Sequence, residues 1–384
     1  MPDRDGAVAL SFLPYGRQEI GDADVKAVVE ALVSGWLTTG PRVSEFEQAF
    51  AARVGAGEGV AVNSGTAALH CAMRALGVGP GDEVIVPAIT FAASANAALY
   101  EGAKPVFADV EPDTLLIDPN SVAAKITKRT KVIVAVDYGG QPADYDAIRA
   151  LAEPRGIKVI ADSCHAPGAM YKNRPAGSLG DITCFSFHPV KHLTTCEGGM
   201  AVTDDAGMAQ HMRRFRNHGI DSDHRSRDAA GAHAYNMAEL GFNYRLPDVQ
   251  CALGLAQLQR LTGWVAARQR IAMLYDEALG GLNNLRRLKR HDDRTHAYHL
   301  YVVRLDDGID RDGVFAKLRA EGIGANVHYA PVYLHSHYAK LGYKPGLCPN
   351  AEAAYRRILT LPMFPAMTAS DVRRVVAALT KATA

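Results

Sequence analysis

The stretch Asp181-Ile-Thr-Cys-Phe-Ser-Phe-His-Pro-Val-Lys191-His-Leu-Thr-Thr-Cys-Glu-Gly-Gly199 decides how the rest of the chain is read. It begins as a β-prone run and ends in a glycine pair. Between them stands one lysine, Lys191, with apolar and hydroxyl neighbours and no other Lys or Arg in the stretch. A free lysine has a pKa of about 10.4, so at pH 7 only roughly one in 2500 is the neutral nucleophile. Burial, or conversion to an imine, removes that handicap. The plainer alternative is a lysine bridging to Glu197 or to a backbone carbonyl.

Working outward, the next informative residue is Asp162. The apolar run Val159-Ile160-Ala161 ends on this carboxylate, 29 residues before Lys191. A buried Asp needs a cation or several donors to stay ionised. A pyridinium nitrogen would serve, as in pyridoxal phosphate sites; an ordinary turn cap is the alternative. His165 follows three residues on, within reach of such a ring's phenolic oxygen or as a satisfied structural histidine. Cys164–His165 as a thiol pair is disfavoured, because adjacent residues on an extended strand point to opposite faces.

Further upstream, Asn63-Ser64-Gly65-Thr66 follows a predicted strand and opens a predicted helix. A helix N-terminus offers unpaired N–H groups and the positive end of a dipole. Gly65 lets the backbone approach an anion, and Ser64 and Thr66 add hydroxyls; an N-cap with no ligand is the alternative. Gly77-Val-Gly79-Pro-Gly81-Asp82 does not compete as a dinucleotide motif. It lacks the last glycine and leads into a strand. Ser186, five residues before Lys191, adds a further hydroxyl. Phosphate cradle, strand-end Asp and isolated Lys, in that order, together suit one cofactor.

The periodicity supplies a scaffold. Apolar positions at Val25, Val28, Val29 and Leu32 predict an amphipathic helix over 22–34, stopped by Gly35. Phe46, Phe50 and Val54 mark a second helix. Strands at 59–63, 83–86, 105–107, 132–136 and 158–162 alternate with helices at 67–76, 91–100 and 143–152. That alternation predicts an α/β fold with a mostly parallel sheet, whose ligands sit at the carboxyl ends of its strands. Pro247 opens a helix carrying Val249, Leu253, Leu255 and Leu258. Strands at 299–305 and 325–329 around a helix at 311–321 predict a smaller C-terminal α/β domain. The expected organisation is an N-terminal arm and helix at 1–34, a large cofactor-binding domain at 35–255 and a small domain at 256–384. His328-Tyr329 and the 331–335 segment cluster aromatics and histidines. With no acidic partner nearby, packing or substrate-loop contacts are favoured over a metal.

Composition narrows the function. The 384 residues carry 42 Lys+Arg and 41 Asp+Glu, a net charge of +1, which gives no footprint for nucleic acid or an anionic membrane. No apolar run approaches the roughly 18 residues needed to span a bilayer. Met-Pro-Asp-Arg-Asp has no apolar leader region. The six cysteines form no C-x-x-C pair, which disfavours zinc and disulfide frameworks. A reduced, cytoplasmic protein is expected.

Six motifs then carry a resemblance: Gly35-Trp-Leu-Thr-Thr-Gly40, Asn63-Ser-Gly-Thr66, Asp162-Ser-Cys-His165, Phe185-Ser-Phe-His-Pro-Val-Lys191, Glu197-Gly-Gly199 and Gly241-Phe-Asn-Tyr-Arg-Leu-Pro-Asp248. In this order, from about Pro14 to the C-terminus, the chain resembles the DegT family of nucleotide-sugar aminotransferases, fold-type I pyridoxal phosphate enzymes. Leu13-Pro-Tyr-Gly-Arg-Gln18 and Phe187-His-Pro-Val-Lys191 look most like the pseudaminic acid pathway members. Those aminate a UDP-linked 4-keto-6-deoxy-N-acetylhexosamine at C4 with glutamate as donor. The resemblance implies that Lys191 bonds pyridoxal 5′-phosphate and shuttles the proton, Asp162 holds the pyridinium and His165 faces the phenolic oxygen. Gly65, Thr66 and Ser186 would bind the phosphate, and Phe91 would stack on the ring. Asn243 would reach the phosphate of the neighbouring subunit, which implies a homodimer with shared active sites. Cys196 stands where glycine is expected, and residues 221–236 look like a variable loop. A sugar dehydratase of the same fold would carry histidine at the lysine position; Lys191 argues against it. A non-catalytic binding protein is disfavoured by the complete set of cofactor positions.

Overall fold

The alternation of strands and helices builds a seven-stranded sheet in this computed structural model, which describes residues 12–222, Arg227, Gly231 and 233–384. The first eleven residues, and residues 223–226, 228–230 and 232 of the 221–236 loop, lie outside the described residues. Strands β1 (Glu58–Val62), β2 (Glu83–Pro87), β3 (Lys104–Ala108), β4 (Thr130–Val136) and β5 (Lys158–Asp162) follow in turn. A short hairpin of β6 (Met170–Tyr171) and β7 (Arg174–Pro175) intervenes before β8 (Ile182–Ser186) and β9 (Gly199–Thr203). The order is β1-β9-β8-β5-β4-β2-β3. From β3 to β8 every pairing is parallel; β9 runs antiparallel to both β8 and β1.

Both faces of this sheet are covered, which explains why its strands read as continuous apolar runs. β2 is buried along its whole length. Helix α1 (Asp22–Val33) and α2 (Pro41–Val54) precede the sheet. Helix α3 (Gly65–Ala75) buries Ala67 to Met73, and α4 (Ala93–Tyr100) buries a run of alanines. Phe46 and Phe50 of α2 meet Phe185 and Phe187 with ring centroids 5.0–5.3 Å apart. That aromatic floor lies under the start of the Lys191 loop.

A second sheet, β10 (Leu285–Arg287), β11 (Tyr301–Leu305) and β12 (Ile358–Leu361), is wholly antiparallel. Helices Arg311–Ala320 and Ala369–Thr383 pack on it around a core that includes Leu13. The helix Leu261–Ala278 joins the two bodies. Its first turns bury Leu261 and Trp264 beside Phe46 and Phe187, and its later turns bury Ile271 and Tyr275 in the second core.

Two expectations are corrected. The segment 325–329 is not a strand. Asn326 makes a single bridge to Thr360 on the edge of β12 away from β11, and the next carbonyl in line, that of His328, is taken by Tyr138 Oη instead of by β12. Side-chain bonds hold the segment instead, such as His328 Nδ1 to Thr360 Oγ1 at 2.9 Å. Helix α1 forms as expected, but its apolar stripe faces outward. Val25, Val29 and Leu32 are each at least half exposed, while Asp24 is fully buried. Asp24 accepts hydrogen bonds from Gly21 N and Gln257 Nε2, both at 2.8 Å, and pairs with Arg260. A polar pin, not the hydrophobic stripe, docks α1 on the helix Asp248–Leu258 that carries Gln257.

Removing that pin leaves Gln257 Nε2 with only the Glu19 carbonyl, at 3.0 Å, and Arg260 with the longer pair to Glu19, at 3.7 Å. Asp24→Ala is expected to lower unfolding stability by about 2 kcal/mol, the discount from a fully buried pair reflecting Arg260's access to water. Urea denaturation with an unchanged m-value measures it; a loss below about 0.5 kcal/mol contradicts the pin.

Candidate active site

The carboxyl ends of β2, β4, β5 and β8 gather the predicted residues. Asp162 closes β5 and is buried. Its Oδ2 accepts from Ser94 Oγ at 2.7 Å, and Oδ1 accepts from Cys164 N at 3.3 Å. Ser94 has one hydroxyl proton and gives it to Asp162, so Thr90, 2.7 Å from Ser94 Oγ, donates in turn. This relay from α4 orients the carboxylate, and among the described residues no basic side chain is bonded to it.

His165 is held on both sides. Gly139 N–H donates to Nδ1 at 3.3 Å, so the proton sits on Nε2, which meets Tyr329 Oη at 3.2 Å. Burial is the main reason its imidazole lies well below the usual histidine range, with Lys191 adding to the effect. The ring is therefore a neutral donor at physiological pH. Burial likewise pushes the Cys164 thiol well up, which removes it as a nucleophile.

Lys191 lies in the connection from β8 to β9. The neck of that loop is closed by the Ser186–Gly199 pair of the ladder, Phe187 N to Gly198 O at 2.9 Å, and Thr195 N to Phe187 O at 3.1 Å. Gln250 Nε2 pins its far side by donating to Thr195 O and Glu197 O, both at 2.7 Å. No ion pair joins Lys191 to Glu197, which is exposed, and among the described residues the Lys191 amine has no hydrogen-bond partner. The bridging alternative is thus not realised. Burial lowers its pKa, outweighing the pull of Cys164 and Asp162, and Arg268 lowers it further. Cys196 has φ +68°, a left-handed conformation that glycine adopts without strain, so the expectation of glycine there has a physical basis.

The phosphate cradle takes shape at α3. Ser64 is its N-cap, with Oγ accepting from Ala67 N at 3.0 Å. That bond uses only an acceptor site of the hydroxyl, so its proton is still available to donate into the cradle. The cap leaves the amides of Gly65 and Thr66 at the start of the helix, where the dipole favours an anion. A Cβ on Gly65 would stand 2.9 Å from Ser186 Cβ, so that glycine is what admits the β8 hydroxyl beside the helix start. A Cβ on Gly199 would meet Ser64 O at 2.5 Å, which accounts for the second glycine of the pair.

Phe91 precedes α4 rather than belonging to it. It is 61% exposed, with its ring 6.2 Å from that of Tyr329. Asn243 has an exposed side chain; its carbonyl accepts from Asn63 Nδ2 at 3.3 Å, just ahead of the cradle. Periodicity had no means to find Thr90, Ser94, Gly139 or Tyr329. Their roles come from contacts across the sheet and, for Tyr329, from a segment 164 residues beyond His165. A cavity of about 640 Å³ opens elsewhere, between Thr39, Glu47, Arg213 and Arg245. None of the expected site residues lines it, so chemistry rather than volume marks the site.

This donor set fits pyridoxal 5′-phosphate. Free amides and a hydroxyl suit a phosphate, a braced carboxylate suits a ring nitrogen, and an unbonded lysine suits the aldehyde. Residues 18–380 match the model of the DegT/DnrJ/EryC1/StrS aminotransferase family. The chain is 44% identical to the spore coat polysaccharide biosynthesis protein SpsC of Bacillus subtilis (strain 168), over 96% of each chain. It superposes on the putative sugar aminotransferase Spr1654 from Streptococcus pneumoniae in its PLP form with a TM-score of 0.91 and 32% identity, covering 98% of each chain. Helicobacter pylori PseC, an aminotransferase involved in the biosynthesis of pseudoaminic acid, gives a TM-score of 0.91 at 30% identity, covering 97% of this chain and 99% of that one.

Gly65→Ala puts a methyl group into the cradle. The expected result is at least about tenfold weaker retention of pyridoxal 5′-phosphate, read from cofactor absorbance after dialysis, with the fold intact by circular dichroism. Wild-type retention in that variant would move the phosphate site away from α3.

Proposed function

Because the chain belongs to the DegT/DnrJ/EryC1/StrS aminotransferase family, we propose that it transfers the amino group of glutamate to C4 of a UDP-linked 4-keto-6-deoxy-N-acetylhexosamine. The coarser activity needs no proposal: the protein is a pyridoxal 5′-phosphate-dependent sugar aminotransferase. The observation that carries the reading is the apposition of unbonded Lys191, braced Asp162 and the Gly65–Ser186 cradle at one end of the sheet. The choice of sugar is supported by the Leu13–Gln18 and Phe187–Lys191 motifs and by the likeness to PseC. The name of the more identical relative, SpsC, places that protein in polysaccharide biosynthesis without stating a sugar.

In this reading each residue has a task. Bound pyridoxal 5′-phosphate supplies an electron sink at the reacting carbon and carries the amino group between donor and acceptor. Lys191 anchors it, then takes a proton at Nζ and returns it one carbon away. Burial favours the neutral form of that amine, which is the form that accepts a proton. Asp162 holds the proton on the ring nitrogen, oriented by Ser94. His165, a neutral ring tied to Tyr329, would stand beside the ring oxygen. The Gly65 and Thr66 amides and Ser186 Oγ grip the phosphate, and Phe91 covers the ring.

Incubating the enzyme with glutamate and a panel of UDP- and dTDP-linked keto sugars, with product structures from NMR, tests the substrate. The 4-amino product of the UDP-linked N-acetylated sugar should form fastest. Amination at another carbon, or faster turnover of a dTDP sugar, replaces this substrate with another keto sugar of the same class.

The shared-site homodimer belongs to the same proposal. Asn243 is exposed, and Trp36 and Leu37 just after α1, together with Phe242, leave large apolar surface exposed. Exposed apolar side chains of this size support an interface. Mixing Lys191→Ala with Asn243→Ala subunits then yields dimers in which one site carries both defects and the other neither. Activity per subunit should rise above the average of the two parents, toward half a wild-type site. Demonstrated subunit exchange without that rise overturns the placement of Asn243 in the neighbouring site.

A further inference from the structure

Lys191 is backed by a tier of basic side chains. His165, His192, His299 and His328 are all buried. The ring centroids of His165 and His299 lie 4.4 Å apart, and those of His192 and His299 5.8 Å apart. His192 Nε2 donates to Ala297 O at 2.9 Å, and Nδ1 of both His192 and His299 is buried without a hydrogen-bond partner. Behind them Arg268, on the helix Leu261–Ala278, is 1% exposed. Its guanidinium donates to the carbonyls of Tyr298, His299 and Met363 at 3.2, 3.4 and 2.9 Å. Among the described residues it pairs with no carboxylate. It lines one small cavity together with Lys191 and His192. A sealed cation held only by carbonyls is costly to fold around, and packing alone would be served by an apolar residue of similar size.

We propose that Arg268 is a positioning residue for Lys191, holding His299 against His165 through its carbonyl and using its charge to keep the histidine tier and the Lys191 nitrogen from gaining a proton. The inference rests on the reading of Lys191 as the residue joined to the cofactor. Like charges in a poorly screened interior repel strongly. Burial is the larger cause of the lowered pKa values of His192, His299 and Lys191, and Arg268 adds to it in all three. The groups facing Lys191 from the other elements are Asp162 and Cys164 at the end of β5, His165 beyond them, His328 beside β12, and Arg17 and Glu19 of the N-terminal segment, which line the same small cavity. Cys164 and Asp162 draw a proton onto Lys191. Arg268 opposes that pull from the other side.

The test uses the holoenzyme without substrate. The absorbance band of bound pyridoxal 5′-phosphate shifts when the nitrogen joining it to Lys191 takes up a proton, so its pH midpoint reads the local charge directly. Arg268→Gln removes the charge but keeps donors toward the carbonyls; Arg268→Lys keeps the charge. The midpoint should rise by about one unit in the Gln variant and stay near wild type in the Lys variant. A merely structural role lowers Tm in both and moves neither midpoint; equal midpoints in folded wild type and Gln variant overturn the proposal. Should neither variant fold, imidazole NMR signals of the wild-type holoenzyme decide it. His192 and His299 should keep neutral-ring shifts down to about pH 6, and protonation of either above that pH overturns the proposal. A Lys191→Ala holoenzyme that keeps the titrating band would instead unseat the reading of Lys191, whatever the behaviour of Arg268.

Discussion

One half-buried lysine with no carboxylate bonded to its amine sets the terms for the rest of the structure. The acids around it are committed elsewhere, Glu19 of the shared cavity to Arg260 at 3.7 Å. Asp162 is taken by Ser94 and the Cys164 amide. Glu197 faces solvent. Asp137, beside Asp162 in the sheet, accepts from Ser163, Tyr145 and the Ala143 amide, and burial pushes its carboxyl up to about 7. A lysine so placed is stable only if the chain around it cannot relax to bring an anion closer. The stitched neck at Phe187 and the clamp from Gln250 supply that rigidity.

The parallel sheet makes the arrangement possible. Strand ends at Pro87, Val136, Asp162 and Ser186 open in the same direction, so loops far apart in sequence converge. The second sheet contributes from outside: Tyr329 reaches His165, and Tyr138 donates back to the His328 carbonyl. The N-terminal segment ties the same region from another side. Leu13 bridges Ile323, Tyr15 accepts from Met363 N at 2.9 Å, and Gly16 packs against Val190 beside the lysine. The site is thus closed by parts of the chain from both ends.

Much of this was legible in the sequence, for reasons that differ from residue to residue. β5 could be read because an apolar run ended on a charge, and its bounds agree with the structure. The cradle could be read because a hydroxyl-glycine turn stood between strand and helix. β9 and β12 escaped notice: they are four or five buried residues each, with no polar alternation to mark them. Ser94 and Thr90 carry no local signal either, since a serine in a helix and a threonine in a loop are ordinary until the carboxylate opposite is known.

The amino-acid sequence by itself determined the strand–helix alternation of the large sheet, the candidate lysine and its candidate carboxylate, and the resemblance that names the cofactor. These depend on local spacing and residue chemistry, which survive without coordinates. Only the tertiary structure decided what each group touches. It turned the stripe of α1 to the outside, because Asp24 found Gln257 and Arg260 on a distant helix. It put the proton of His165 on Nε2, because Gly139 offers an amide to the other nitrogen. It set Arg268 behind the lysine with carbonyls for partners. Periodicity says that a face is apolar or that a charge is isolated. Which surface that face meets, and which field that charge feels, follow from contacts between segments hundreds of residues apart.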